Sequence, residues 1–482
     1  MSHTILCFSR SYLSRLLPEL GRGDPSVQYL HIVQTDREAA HITSVGGTVV
    51  LNLQALVRET LTQKDAPKWK EPEDFRALTS FFWSPIYADR YLPEYTPVVR
   101  RKIAGSIFAA LTDIFDRLKI DAFVSEPVAL FTTHVAFYLC KKHGAKPLLW
   151  ANAYFPGYFY FSDDVQISKP VRVGELTQAE RKAASASVSS YLTGVADDKR
   201  GPAYHHSFIS QKLSKFSFLR QRRGLEPLVL RPGLNSKAIQ VARLMRVTLS
   251  RLTFPWFSDF MTAGAVNEHR FYLRALNTSR FVYDKMPVEY SNSHVVYPLQ
   301  YEPEASLLYF APDFVSQVAF VETILRSLPD DHILWVKEHP NQFGALGERH
   351  WREMRRRYEN LRLIQGRESV RELIRKSALV VAISSSAGMD ALAIGRRVVV
   401  AGQVFYRHMT GALPVSSAAE IAAIVNDPSN YGPIDNFDKN IEELAQFASK
   451  CYRGDPQPAH ELFHSENLNF IACAIRNEIG AA

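Results

Sequence analysis

At 482 residues the chain exceeds what one hydrophobic core usually serves, and it suits two domains of roughly 150–250 residues each. A hydrophobic share of 46% with 26 prolines and 23 glycines is that of an ordinary globular protein, which excludes fibrous and low-complexity chains. The net charge of +8 is concentrated, because Lys212–Arg251 carries ten Lys/Arg against one acid, Glu226. Such a stretch suits an anionic membrane or glycan, or else is a solvated helical face with snorkelling stems. None of the modular nucleic-acid readers is visible, so no nucleic-acid partner is expected. No apolar run reaches the roughly 20 residues of a spanning helix, and Met1–Phe8 lacks the basic start and long apolar core of a signal peptide. Cys7, Cys140, Cys451 and Cys473 are scattered and form no CxxC, which indicates neither a zinc site nor a disulfide framework. These features predict a cytoplasmic protein, with the basic stretch able to hold it peripherally on the inner membrane.

The first part of the chain alternates strands and helices. Thr4–Phe8, Val27–Val33 and Thr48–Leu51 are expected strands. Val98–Leu118 has a helical period through Ile103, Ile107, Leu111, Ile114 and Leu118. A buried strand, Asp121–Ser125, follows and ends at Glu126. A helix over Thr132–Lys142 is closed by Gly144, and Pro147–Trp150 is the next strand. This order predicts a parallel sheet with helices on both faces. The strand signal fades over 168–285, where a basic, mainly helical insertion is expected. A second alternating half follows, with strands at His294–Tyr297, His332–Val336, Leu361–Ile364, Leu379–Ile383 and Val398–Val400. The predicted organisation is an N-terminal Rossmann-like domain (1–167), the insertion, a C-terminal Rossmann-like domain (286–455) and a terminal helix (456–482). The fold class is α/β, GT-B-like, with a ligand expected in the cleft between two parallel-sheet domains.

Several strand ends carry groups suited to phosphate. The run Ile333–Val336 stops at Lys337, Glu338, His339 and Pro340; proline biases His339 away from helix, and alternation puts Lys337 and His339 on one side. The run ending at Ile383 stops at Ser384, Ser385 and Ser386, with Gly388 allowing close approach and Ser386 able to cap the next helix. Strand ends of open α/β sheets and helix N-termini both favour anionic ligands. Neither motif is a Walker loop or a GxGxxG fingerprint. After the first strand of the second half, Gln300, Glu302 and Glu304 sit in a stiff loop with Pro298 and Pro303, where Glu304 could orient a sugar hydroxyl. Glu126 is the N-terminal carboxylate best placed to take a proton from an acceptor hydroxyl; Asp36, Asp89 and His134 are further candidates. Each has a structural alternative: strand-end carboxylates also cap helices, and a serine before a helix is commonly its cap.

Tyr297–Glu304, Leu334–Pro340, Ser384–Leu392 and Val398–Gly402 together resemble the bacterial capsule polysaccharide biosynthesis proteins, a family that includes GT-B Kdo transferases. The His-Pro and serine motifs are also similar to those of bacterial sialyltransferases. The resemblance covers about Tyr297–Tyr406. It implies that His339 and Ser384–Ser386 hold the nucleotide and that Glu304 lies near the donor sugar. Where that family's motif has Glu after the small residues this chain has Asp390, and the sialyltransferase Asp-Asp-Gly or Glu-Asp-Gly is absent. The expectation is therefore a glycosyltransferase using a nucleotide-sugar, a CMP-linked keto-sugar acid such as Kdo, to extend a surface glycan or glycolipid. No metal or other cofactor is expected, since no Asp-x-Asp site is evident. The alternatives are a nucleotide-sugar epimerase of the same shape and a non-catalytic polysaccharide assembly or export factor.

Overall fold

The computed structural model describes residues 3–22, 26–172, 177–197, 283–339, 345–366, 368–456 and 462–480, together with positions 245 and 342. The basic stretch 212–251 and Pro340 therefore lie outside the described residues, position 245 excepted.

Two sheets form the frame. The N-terminal one contains β1 (His3–Phe8), β2 (Val27–Val33), β3 (Thr48–Asn52), β4 (Ala122–Ser125), β5 (Lys146–Asn152), β6 (Tyr158–Ser162) and β13 (Tyr452–Arg453), in the order β13-β6-β5-β4-β1-β2-β3. Strands β1 to β5 are parallel, whereas β6 and β13 run antiparallel to their neighbours. The C-terminal sheet contains β7 (Ser291–Pro298), β8 (Ile333–Lys337), β9 (Leu361–Ile364), β10 (Ser377–Ala382), β11 (Arg397–Val400) and β12 (Ala412–Pro414). Its order is β12-β11-β10-β7-β8-β9 and every pairing is parallel. Strands β4 and β10 are buried at every residue, as parallel strands covered on both faces must be; this is why they appear in the sequence as continuous apolar runs. The two parallel-sheet domains give the GT-B-like α/β architecture.

Both sheets reverse their strand order once. In the first, the chain builds β1, β2 and β3 outward and then returns to place β4 on the other side of β1. In the second, it builds β7, β8 and β9 and then places β10 beside β7. A crevice opens at such a reversal, outside the carboxyl ends of the two diverging strands. Arg10 and Glu126 lie just beyond the ends of β1 and β4, and Gln300 and Ser384 just beyond those of β7 and β10.

The chain crosses between domains more than once. Helix Gln178–Ala196 leaves the N-terminal sheet and buries Val188, Tyr191 and Leu192 with Met389, Leu392 and Leu444 of the second domain. In return, Tyr452–Arg453 joins the edge of the first sheet, so the passage back begins before the boundary expected at 455. Helix Ser465–Ile479 then packs Ile471, Ala474 and Ile475 among Leu13, Leu16 and Leu17. Tyr452 donates to Glu478 Oε1 at 2.6 Å, which ties the edge strand to that helix. Each domain is thus covered by a helix reached from the other.

Candidate active site

The carboxyl ends of β7, β8 and β10 meet in one hydrogen-bonded cluster. Gln300 Nε2 donates to Ser384 Oγ at 2.8 Å, and that hydroxyl donates to the Ser306 carbonyl at 2.8 Å. Gln317, buried on helix Gln317–Ser327, fixes the loop after β7. Its Oε1 accepts from Tyr297 Oη at 2.9 Å and from the Gln300 N–H at 2.7 Å, while its Nε2 donates to the Gln300 carbonyl and to Glu302 Oε1. Gln342 reaches across from the loop after β8, accepting from the Glu302 N–H at 3.0 Å and donating to the Glu302 carbonyl. Burial raises the Glu302 carboxyl above its ordinary value, partly offset by the bond from Gln317.

His339 and Lys337, expected together on one side, separate. His339 is half-buried at the end of β8 and stands edge-on to Tyr301 at 5.8 Å between ring centres. Lys337 is buried and points its ammonium at the Glu338 and Gly366 carbonyls, 3.1 and 3.0 Å away. Desolvation lowers its pKa to about 8, although Glu338 and Glu368 oppose the shift. The reason is topological: Lys337 is still within β8, paired to Pro298 on one side and Ile364 on the other. Glu338 was not singled out in the sequence, yet it is buried and accepts from Tyr283 Oη, the Leu346 N–H and the Gly366 N–H. It braces the turn that presents His339.

The serine run divides by role. Ser384 is buried and serves the cross-strand bond, and Ser385 rather than Ser386 is the helix cap. The backbone of Ser385 is extended and its hydroxyl accepts from the Ala387 N–H, so the helix Ser386–Ala393 begins one residue earlier than expected. Ser386 occupies the first helical position, half-buried, where free N–H groups and the helix dipole favour an anion. Gly388 makes room for protein rather than ligand. A Cβ there would lie 2.6 Å from Tyr406 Oη, whose hydroxyl donates to the Ser385 carbonyl and fixes the cap. Asp390 is buried against Arg371, with Nε 3.1 Å from Oδ2.

Glu304 precedes the short helix Ala305–Leu308 and accepts from Ser306 Oγ at 3.0 Å. It is half-buried, and its charge reaches Tyr154 of the first domain. Burial raises the Tyr154 phenol first, and Glu304 adds to the shift. Tyr154 lies just past β5 with φ of 63°, a conformation that costs a non-glycine residue free energy, and packs against Phe405 and Tyr406. Residues 304–310 then cross to the first domain, where Tyr309 stacks on Phe81 at 4.7 Å and approaches His134 Nδ1 at 3.2 Å. His134, expected as a weak catalytic candidate, is fully buried here, and burial lowers its pKa to about 3.

In the first domain, Glu126 is held rather than free. Arg10 donates to Glu126 Oε2 from Nη2 at 2.8 Å and from Nε at 3.1 Å, and Tyr12 donates to Oε1 at 3.0 Å. Burial alone would raise the carboxyl, but Arg10 outweighs it and keeps Glu126 below its ordinary value. A carboxylate so stabilised is a poor proton acceptor. Asp36 is paired with Arg58, and Asp89 is filled by three backbone N–H groups. Arg10 and Tyr12 were not picked out beforehand; their one sequence signal is their place directly after the first strand.

These strand-end groups from β7, β8 and β10 fall in a segment with a recognisable relative. Residues 262–413 match the capsule polysaccharide biosynthesis protein family. The matched segment extends beyond the Tyr297–Tyr406 span on both sides, and it contains His339, Ser384–Ser386 and Glu304, while Glu126 lies outside it. No curated protein sequence matches the chain. Among solved structures, the β-Kdo 2,4 transferase KpsC of Thermosulfurimonas dismutans is similar with a TM-score of 0.34 and 11% identity, over 70% of this chain and 82% of that one. A glycosyltransferase of Rickettsia africae is similar at 0.29 and 9%, over 100% and 98%. The UDP-GlcNAc 2-epimerase of Methanocaldococcus jannaschii, in complex with UDP-GlcNAc and UDP, is similar at 0.27 and 11%, over 92% and 98%. Among the described residues no helix is long and apolar enough to cross a membrane.

Proposed function

We propose that the protein is a glycosyltransferase of capsule or other surface polysaccharide synthesis, taking a sugar from a nucleotide-sugar to a glycan or glycolipid acceptor. One observation carries the reading. Within the segment that matches the capsule-synthesis family, His339 follows β8, and Ser385–Ser386 with a helix N-terminus follow β10, the two strands that flank β7 in the second sheet. These groups suit a departing nucleotide phosphate, whose growing charge they would stabilise. The donor we favour is a CMP-linked keto-sugar acid such as Kdo.

In the reaction the acceptor oxygen bonds to the anomeric carbon, the carbon–phosphate oxygen bond breaks, and CMP leaves with the bonding pair. The acceptor proton passes to a carboxylate. Glu126 is committed to Arg10 and Tyr12, so we assign that role to Glu304, beside the domain crossing. Lys337 acts by anchoring the His339 turn. The acceptor occupies the N-terminal half of the cleft, and the basic stretch 212–251 meets an anionic membrane surface. Release of the protein from anionic vesicles on raising salt tests that contact.

The decisive assay is incubation with CMP-Kdo and an oligosaccharide acceptor, read by mass spectrometry. Free CMP with an acceptor heavier by one sugar residue, lost in Glu304→Gln, is expected. Epimerised UDP-GlcNAc formed without an acceptor would instead support an epimerase and overturn this proposal.

A further inference from the structure

Large apolar side chains stand in solvent along one stretch of the N-terminal domain. Phe82 is 70% exposed, Trp83 40%, Tyr87 64% and Val98 63%. The three rings are anchored from below. Trp83 lies 6.1 Å from Phe81 between ring centres, and Phe81 is buried and stacked on Tyr309 of the segment that crosses from the second domain. The Phe82 carbonyl accepts from Arg76 Nη1 at 2.8 Å. The Tyr87 N–H donates to the Ser84 carbonyl at 3.1 Å, and its ring lies under the Arg100 guanidinium, 5.2 Å from the ring centre. Arg100 gives its N–H groups to the Leu92, Pro93 and Tyr95 carbonyls, so this arrangement leaves its charge in place. Val98 is in the first turn of the same helix, Pro97–Arg117. An apolar patch held rigidly in water points to a partner that covers it.

Cations border the patch. The segment 63–70 is fastened to the start of helix Pro97–Arg117: Lys102 Nζ donates to the Gln63 and Lys64 carbonyls at 3.2 and 2.9 Å, and the Trp69 N–H donates to the Arg101 carbonyl at 2.8 Å. The contact is close enough that a Cβ on Gly105 would lie 2.2 Å from the Pro67 carbonyl oxygen. Residues 64–70 and 100–102 together carry six Lys/Arg (Lys64, Lys68, Lys70, Arg100, Arg101, Lys102) against one acid, Asp65. Of the acids next along the chain, Glu71 pairs with Arg76 and Asp74 with Lys142, which leaves Glu73 and a clear cationic surplus.

We propose that residues 82–98, with this basic rim, form a docking surface for an anionic phospholipid bilayer, the rings of Phe82, Trp83 and Tyr87 entering the headgroup boundary. Aromatic rings suit that boundary, and Lys and Arg beside them are attracted to the lipid phosphates. Phe82 and Val98 offer no polar atom to sugar hydroxyls, which favours lipid over a glycan as the occupant. The inference rests on the membrane contact proposed for 212–251 and deepens it, adding an apolar component on a different element. It does not depend on which sugar is transferred.

The test is sedimentation of the full chain with vesicles of phosphatidylglycerol and phosphatidylethanolamine, together with quenching of tryptophan fluorescence by lipids brominated in the acyl chain. The wild type should bind, and the quenched fluorescence should be lost in Trp83→Phe. Phe82→Ser combined with Tyr87→Ser should weaken binding by about tenfold or more, since each ring gives up apolar burial, with melting temperature and CMP affinity unchanged. Lys68→Gln combined with Arg101→Gln should weaken binding to these vesicles while reducing its dependence on salt. Equal binding by the wild type and the Phe82→Ser, Tyr87→Ser variant overturns the proposal, because 212–251 would then carry the contact alone. No vesicle binding by the wild type overturns both membrane contacts. A change in Trp83 fluorescence with soluble dextran and none with vesicles also overturns it, making the patch a glycan platform. Ring-dependent vesicle binding by a protein that binds no nucleotide would leave the docking surface standing and remove the transferase reading instead.

Discussion

Gln300 Nε2 donates to Ser384 Oγ at 2.8 Å across the two strands between which the second sheet reverses its order. The bond closes the floor of the candidate nucleotide site, because Ser384 also donates to the Ser306 carbonyl of the segment that carries Glu304. Gln300 Oε1 is buried without a partner, so the amide depends on its one side-chain bond. Ser384→Ala leaves Nε2 unsatisfied too and should destabilise the protein by about 1–3 kcal/mol, measured by urea unfolding. Ser385→Ala removes only a helix cap and should cost about 1 kcal/mol. A cost for Ser384→Ala no larger than that would show the cross-strand bond to be dispensable.

Gly388 and Tyr406 form a packed pair. The Gly388→Ala methyl would sit 2.6 Å from Tyr406 Oη and 2.9 Å from its ring, so the ring must shift away from the Ser385 carbonyl. We expect a loss of about 1–3 kcal/mol, the usual penalty of overpacking, and Tyr406→Ala should relieve it. In a double-mutant cycle the combined loss should fall short of the sum. Additive losses would mean that the glycine serves something other than Tyr406.

Asp390 stands where the resemblance leads one to expect Glu, and its partner is Arg371. Their side chains are 6% and 8% exposed, and Nε lies 3.1 Å from Oδ2. Asp390→Ala leaves a buried guanidinium without this charge and should cost about 3–5 kcal/mol. Removing both with Arg371→Met should cost less than Asp390→Ala alone. Thermal unfolding of the three variants checks the ordering, which would be reversed if the pair were held together by packing alone.

Lys337 sets a pH dependence of stability. Its folded pKa is lowered to about 8, so between pH 8 and 10.5 the unfolded chain binds more protons than the folded one. Stability contributed through this group therefore rises with pH across that window, by an amount on the order of 3 kcal/mol. Below pH 8 the penalty for burying the ammonium is fully present. Urea unfolding at pH 7.5 and 9.5 should show a gain in the wild type that Lys337→Met lacks; equal pH slopes would place the proton elsewhere.

The strands β4, β8 and β10 were legible because parallel strands covered on both faces leave unbroken apolar runs. The short strand Tyr158–Ser162 was missed, although its aromatic run favours a strand; one of its two neighbours, Tyr452–Arg453, comes from the far end of the chain. At the site, His339 and the serines were visible as polar groups ending apolar runs. Arg10–Glu126 joins residues 116 positions apart, and the orientation of Lys337 depends on both neighbours of β8. Such relationships belong to the tertiary fold and leave no local pattern.

The central claim is that the C-terminal crevice holds the nucleotide of a CMP-sugar, and a thermal-shift titration with CMP, CDP, UMP, UDP and GDP tests it most directly. A ligand that binds only the folded state adds about 2.7 kcal/mol at a hundredfold excess over Kd. CMP should raise the melting temperature of the wild type, and His339→Ala, with its own unliganded melting temperature preserved, should lose that rise. A rise with UDP or GDP in place of CMP would contradict the donor, and no rise with any nucleotide, or an equal rise in His339→Ala, would contradict the site.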